Sequence, residues 1–258
     1  MLLAMDIGNT NTVLGIFDDD QLIQDWRIRT EVNATVDEYG ILIRNLFAAH
    51  ALSPDSVTHV IISCVVPPVL NSAEQFCRKY LHITPLIVGP GIKTGMPIFY
   101  DNPKEVGADR IVNAVAAYET YKSAAIVVDF GTATTFDYVS ERGEYMGGVI
   151  SPGIMISCEA LFQKASKLPR VEIFARPLSI LAKNTIASMN AGIVYGYAGL
   201  VEGIINRAKQ EIKKDLKVVA TGGLAPLIAG ECPAIDEVDE FLTLKGLKII
   251  FERNLKAA

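Results

Sequence analysis

The chain reads as an α/β protein built from two similar halves, and three observations predict it. One short phrase occurs twice, as Met5-Asp6-Ile7-Gly8-Asn9-Thr10-Asn11-Thr12 and as Val128-Asp129-Phe130-Gly131-Thr132-Ala133-Thr134-Thr135. In each copy an apolar run leads to an Asp, an apolar residue, a Gly and a cluster of small polar residues. After each copy, strand-like sequence gives way to helices and strands in alternation. Half of the 258 residues are apolar, so a substantial core can be buried.

The elements follow in order. Leu2–Asp6 is an apolar strand, Gly8–Thr12 a polar turn, and Val13–Phe17 a second strand. Asp18-Asp19-Asp20 makes another turn, and Leu22–Arg29 alternates as a third strand. Asp37–Ala49 has helical apolar spacing at Tyr39, Leu42, Ile43, Leu46 and Phe47. Val57–Ser63 is a buried strand. Pro67-Pro68 breaks the chain before a helix over Val69–Tyr80, and Leu86–Val88 is a short strand. From Gly89 to Gly107 the chain is rich in Pro and Gly, as an exposed or site-forming loop is. Ala108–Tyr121 is helical. The second half opens with strands at Ala125–Asp129, Thr135–Val139 and Tyr145–Ile150. Helices over Gly153–Phe162 and Asn190–Lys213 follow. A strand Lys217–Ala220 ends in Thr221-Gly222-Gly223 before a helix from about Leu224, and Phe241–Asn254 forms a closing helix. The halves divide in or just after the helix at 108–121, giving domains 1–115 and 116–258. No low-complexity linker separates them, so close packing is expected. The apolar helix Asn190–Ile205 is a plausible subunit interface.

The net charge is −5, with acids and bases mixed and no polybasic block. Nucleic acid therefore finds no electrostatic footprint, and a small anion would need local donors. Cys64, Cys77, Cys158 and Cys232 form no C-x-x-C, and His50, His59 and His82 lack metal-ligand spacing. The scattered cysteines read as reduced thiols of a cytoplasmic protein. Cys158, with no histidine close in sequence, reads as a buried thiol rather than a nucleophile. Met1–Met5 is too short for a secretory leader, and no apolar run reaches the roughly 20 residues of a membrane span.

The doubled phrase carries chemistry. A turn rich in Gly, Asn and Thr brings backbone N–H groups and hydroxyls close to phosphate oxygens. An Asp at the strand end can hold hydrated Mg²⁺, which takes one or two carboxylates beside substrate phosphates. One copy alone would equally be a plain hairpin with Asx-type turn residues. Two copies, each behind a buried strand, are hard to explain by turn chemistry, and point to two acidic loops facing one cleft that holds a polyphosphate. In the second copy Gly131 and Thr132 could reach phosphate, and Asp129 could bind a cation. Thr221-Gly222-Gly223 offers a flat surface and a helix N-terminus suited to an adenosine group, though alone it is as well a tight strand–helix turn. Asp109, after Gly107 at a helix start, is a helix cap or a proton acceptor. Arg110 is a solvated helix residue or a carboxylate ligand.

The order of these motifs resembles the acetate kinase, hexokinase, Hsp70 and actin superfamily, which implies two ribonuclease-H-like (actin-like ATPase) domains with a nucleotide cleft between them. No P-loop sequence is present. Asp6-Ile-Gly-Asn-Thr-Asn-Thr, Gly107-Ala108-Asp109-Arg110-Ile111-Val112-Asn113-Ala114, Asp129-Phe-Gly-Thr-Ala-Thr-Thr and Gly147-Gly148-Val149-Ile150-Ser151-Pro152-Gly153, in that order, resemble type III pantothenate kinases over essentially the whole chain. The resemblance implies ATP-dependent phosphorylation of pantothenate to 4′-phosphopantothenate, the first step towards coenzyme A. It also implies Mg²⁺ with ATP, a monovalent cation (K⁺ or NH₄⁺) and a homodimer. By the same resemblance, Asp6, Ile7, Gly8, Asn9, Thr10, Asn11, Thr12 and Val13 match the ATP loop, with Asp6 also towards Mg²⁺. Thr132 matches an ATP contact and Asp129 the monovalent-cation ligand. Gly107, Ala108, Asp109 and Arg110 match the pantothenate segment, with Asp109 the catalytic base, and Tyr100 and Thr185 match further substrate contacts.

The sequence leaves two other readings. A superfamily phosphohydrolase, such as an exopolyphosphatase, would want a basic path for a long polyanion, and none is evident. A non-catalytic transcription accessory factor on this fold would be favoured by loss of Asp6, Asp109 or Asp129; all three are present.

Overall fold

Both copies of the repeated phrase fold as the first hairpin of a five-stranded sheet. In the computed structural model, which describes residues 1–171 and 175–255, β1 (Leu2–Ile7), β2 (Asn11–Asp18) and β3 (Gln21–Arg29) form an antiparallel meander. β4 (His59–Cys64) and β5 (Leu86–Ile87) add in parallel on the other side of β1, giving the order β3-β2-β1-β4-β5. β6 (Ala125–Phe130), β7 (Ala133–Val139), β8 (Tyr145–Pro152), β9 (Lys217–Thr221) and β10 (Glu237–Val238) repeat the arrangement as β8-β7-β6-β9-β10. Matching the sheets strand for strand puts Asp6 and Asp129 at the same place, one residue before the end of the central strand.

The helices follow their sequence signals. α1 (Val36–Ala49) opens on a capping box: the Thr35 hydroxyl accepts from the Glu38 N–H, and the Glu38 carboxylate accepts from the Thr35 N–H. It buries Tyr39, Ile43 and Phe47 on one stripe. α2 (Pro67–Phe76) starts on its prolines, where missing N–H groups cost nothing, and then widens into a π-turn, Cys77–Leu81. α3 (Ala108–Tyr121) and α4 (Ile154–Lys164) lie as expected. α5 (Thr185–Ile212) begins five residues before the expected Asn190, because Asn184 caps it: its Oδ1 accepts from the Ala187 N–H at 2.9 Å. α6 (Ala225–Ala229) is short, and α7 (Leu242–Leu255) closes the chain.

The chain divides into two compact units. One holds residues Met1–Met96, Asp101–Ala116 and the last helix from Thr243; the other holds Pro97–Tyr100 and Ala117–Leu242. α7 thus belongs with the first sheet, although it lies within the expected second half, 116–258. It buries Leu244, Leu247 and Ile250 there. The Thr243 hydroxyl donates to Asn113 Oδ1 at 2.7 Å, and the Asn254 side chain exchanges two hydrogen bonds with the backbone of Lys93.

Each unit has its own core. The first centres on Leu3, Met5, Ile62, Phe47 and Phe76. The second sets Ile126 and Val128 of β6 and Val218 of β9 against α5. α5 spends its apolar face there: Ala191, Val194, Ala198, Val201 and Ile205 are buried. The other side of α5, with Gly192, Gly196 and Gly199, stays exposed. Among the described residues, no helix is long and apolar enough to cross a membrane.

Candidate active site

The Asp6 loop is a tight turn braced from below. Ile7 pairs with Thr12, and the Gly8 N–H donates to the Asn11 carbonyl at 3.0 Å. Ile7 and the Thr12 side chain point into the protein. The Thr30 hydroxyl donates to the Gly8 carbonyl at 2.7 Å and lies 2.9 Å from Thr12 Oγ1. Thr30 has one hydroxyl proton and gives it to Gly8, so Thr12 is the donor between the two. The Thr30 N–H adds a bond to the Thr10 carbonyl at 3.0 Å. Asn9, Thr10 and Asn11 are left exposed, Gly8 and Val13 half-buried, and the carboxylate of Asp6 sits half-buried at the strand end. Ile7, Thr12 and Val13 can therefore serve a ligand through backbone and shape, while Asn9, Thr10 and Asn11 offer polar side chains. Thr30 was not among the sequence candidates; no local signal marks a threonine just after β3 as the brace of a glycine 22 residues earlier.

The Asp129 loop is one residue shorter. Three residues separate the paired Phe130 and Thr134, against four between Ile7 and Thr12. Thr132 is exposed. Gly153 lies beneath it: a β-carbon there would meet the Thr132 carbonyl at 2.1 Å and that of Gly131 at 2.6 Å. This gives the glycine of Ser151-Pro152-Gly153 a physical reason. Asp129 pairs across the sheet with Thr135 and Thr221. A β-carbon on Gly222 would lie 2.9 Å from Asp129 Oδ1 and 2.7 Å from the Phe130 carbonyl, so the Thr-Gly-Gly turn keeps open a small oxygen-lined space at that carboxylate.

The start of α3 holds the third group. Asp109 is half-buried at the second helical position. Its Oδ1 accepts from the Arg110 N–H at 2.8 Å. A β-carbon on Gly107 would come 2.5 Å from that same oxygen, so the glycine is what lets the carboxylate fold back over the chain. Burial pushes the Asp109 pKa up, and the Arg110 N–H and guanidinium only partly offset it. Arg110 is buried, which removes the solvated-helix reading. The Val65 side chain faces Gly107, and the Val65 N–H donates to the Ile7 carbonyl at 3.1 Å. The first unit thus brings the Asp6 loop and the Gly107–Arg110 segment together across one residue.

Tyr100 stands in the second unit, its ring 6.3 Å from that of Tyr145 and resting against Gly147. Thr185 is exposed at the first turn of α5.

A search against protein families matches residues 2–207 to the type III pantothenate kinases. The chain belongs to the type III pantothenate kinase family. Among its relatives is the type III pantothenate kinase of Syntrophobacter fumaroxidans, 79% identical over 256 residues and 99% of both chains. That of Syntrophus aciditrophicus is 65% identical over 98% of this chain and 100% of the other. Solved structures with the same fold are more distant. A Baf-family transcriptional activator from Campylobacter jejuni aligns with a TM-score of 0.61 at 18% identity, covering 98% of this chain and 99% of the other. Component A of the Acidaminococcus fermentans (R)-2-hydroxyglutaryl-CoA dehydratase aligns at 0.57 and 14%, covering 100% and 99%. The fold of this family member is that of two actin-like ATPase domains, each with the five-stranded sheet described above.

Proposed function

We propose that this chain transfers the γ-phosphoryl group of ATP to the terminal hydroxyl of pantothenate, giving 4′-phosphopantothenate, the first step of coenzyme A synthesis, in the cytoplasm. The observation that carries the reading is the Asp109 carboxylate, half-buried at a helix start, raised in pKa and given its place by Gly107. Phosphoryl transfer needs mainly positioning, charge stabilisation and a carboxylate that orients the attacking hydroxyl. As the hydroxyl oxygen bonds to the γ-phosphorus, the bond to the bridging oxygen breaks and ADP leaves. Asp109 accepts the hydroxyl proton. A carboxylate with a raised pKa is a stronger base for this task than an ordinary one.

Asn9, Thr10 and Asn11 would hold the ATP phosphates, with Thr132 from the second loop. Arg110 would pair with the pantothenate carboxylate, and Tyr100 and Thr185 would contact the same substrate. Asp6 suits Mg²⁺, which takes few protein carboxylates. Asp129, with the oxygen-lined space that Gly222 leaves, suits a monovalent cation such as K⁺ or NH₄⁺. When bound, these ions would neutralise phosphate charge.

Homodimerisation is supported by exposed apolar side chains on the second unit, which a second copy would cover: Val149 and Ile150 of β8, Met155 and Ile156 of α4, and Ile186 of α5. Ile150→Asp should halve the mass measured by light scattering; an unchanged mass would place the interface elsewhere.

The activity is tested by ADP release with and without pantothenate. Pantothenate-dependent release with a phosphorylated product supports the kinase. Pantothenate-independent release would indicate a phosphohydrolase, and no release a non-catalytic protein.

A further inference from the structure

Pro97–Tyr100 is a short strap with an unusual allegiance: the residues on both sides of it belong to the first unit, yet it belongs to the second. Its hold there is Tyr145, the first residue of β8. Ile98 bridges to Tyr145 in parallel. The Phe99 N–H donates to the Tyr145 carbonyl at 2.8 Å, and the Tyr145 N–H donates to the Pro97 carbonyl at 2.9 Å. β8 is the edge of its sheet, and the strap covers the start of that edge.

Tyr145 is itself anchored. It is fully buried, and its hydroxyl donates to Asp137 Oδ1 at 2.7 Å. Asp137 is also fully buried, and its Oδ2 accepts from the Thr135 hydroxyl at 3.2 Å. This contact depends on a β-bulge. Asp137 pairs with Gly148, but Val139, two residues on, pairs with Tyr145, three residues back. The extra residue on β8 reverses the alternation of faces and turns Tyr145 to the side of Asp137. Gly147, at φ +109°, makes the bulge possible, and the Tyr100 ring rests on it.

We infer that Tyr145 and Asp137 are positioning residues for the pantothenate side of the site, holding the strap so that Tyr100 meets the substrate. The inference rests on the proposed role of Tyr100. A buried carboxylate with two hydroxyl donors is a stiff anchor, since removing a donor leaves it under-satisfied in a low-dielectric setting.

The test compares Tyr145→Phe, Tyr100→Ala and the double variant in the full chain, with Asp137→Asn as the conservative replacement. Two readouts are needed: steady-state kinetics, and amide hydrogen exchange over the strap. Tyr145→Phe should raise the pantothenate KM about tenfold with kcat and the ATP KM little changed, and should speed exchange at Phe99 about tenfold. Asp137→Asn, with Tyr145 in place, keeps an acceptor for the Tyr145 hydroxyl and should leave both the pantothenate KM and the Phe99 exchange close to the parent's. In the Tyr100→Ala background, Tyr145→Phe should add no further rise in KM. Unchanged exchange at Phe99 in Tyr145→Phe, or a KM rise fully additive with Tyr100→Ala, would overturn the inference. Faster exchange with no effect of Tyr100→Ala on pantothenate KM would instead remove Tyr100 as a substrate contact while leaving the anchor standing as a structural one, and so would overturn the link to substrate.

Discussion

The Cα of Gly153 lies directly under the carbonyl oxygen of Thr132, with no room for even a methyl group between them. The end of β8 thereby sets the height of the loop that carries the proposed second ATP contact. Backbone meets backbone here, so neither side can swing away. Gly153→Ala should displace Gly131–Thr132 and cost about 1–3 kcal/mol of stability, as overpacking does. The ATP KM should rise more than the pantothenate KM; chemical denaturation and two-substrate kinetics check both.

Asp109 carries opposite demands on folding and turnover. Burial raises its pKa, so the folded state binds this proton more tightly than the unfolded state. Its contribution to stability is fully present below the unfolded pKa and is lost as pH rises through the folded value. Asp109→Asn cannot ionise and escapes that loss. Its melting temperature at pH 7 should equal or exceed that of the parent, with the gap closing towards pH 4. Its kcat should fall about 100- to 10,000-fold. In the parent, kcat/KM should rise with pH on an acid limb above the ordinary carboxylate range.

Gly107→Ala tests the same carboxylate from the other side. The added methyl would collide with Asp109 Oδ1, and the carboxylate must turn off its bond to the Arg110 N–H. kcat should drop while the ATP KM holds, and a double variant with Asp109→Asn should be no slower than Asp109→Asn alone. Rate measurements on the three proteins decide it.

Thr30→Val removes the brace of the first loop while keeping its shape. The half-buried Gly8 carbonyl and the buried Thr12 hydroxyl each lose a partner, at a cost of about 1–3 kcal/mol. The ATP KM should rise and the pantothenate KM should not. Equal effects on both would place the fault in global stability.

Much of this was legible in the sequence because the repeat is local. Apolar runs marked where β1 and β6 lie and put Asp6 and Asp129 at their ends; the structure carries each strand one residue further. What stayed hidden depends on partners distant along the chain. Thr30 braces Gly8 across two turns of a meander. The face that Tyr145 shows depends on a bulge at Gly147 that the run Tyr145-Met146-Gly147-Gly148 does not announce. α5 starts five residues before Asn190 because Asn184 caps a turn that the mixed run Thr185-Ile186-Ala187-Ser188-Met189 does not announce. α2 was expected to run straight to Tyr80, and the π-turn from Cys77 gives no signal in residue type. Arg110 could have been solvated; only packing shows that it is buried.

The return of α7 to the first sheet has a consequence for biosynthesis. The second unit is almost one unbroken stretch, Ala117–Leu242, whereas the first needs residues from both ends of the chain. As the polypeptide leaves the ribosome, the amino-terminal sheet must wait, with the surface that α7 will cover exposed, until the last helix is made. The unit whose synthesis begins first is then the last to be completed. A product lacking α7 would leave Gly15 and Asn113 of the first unit without Leu244 and Thr243 against them, and chaperones would meet that exposed surface first.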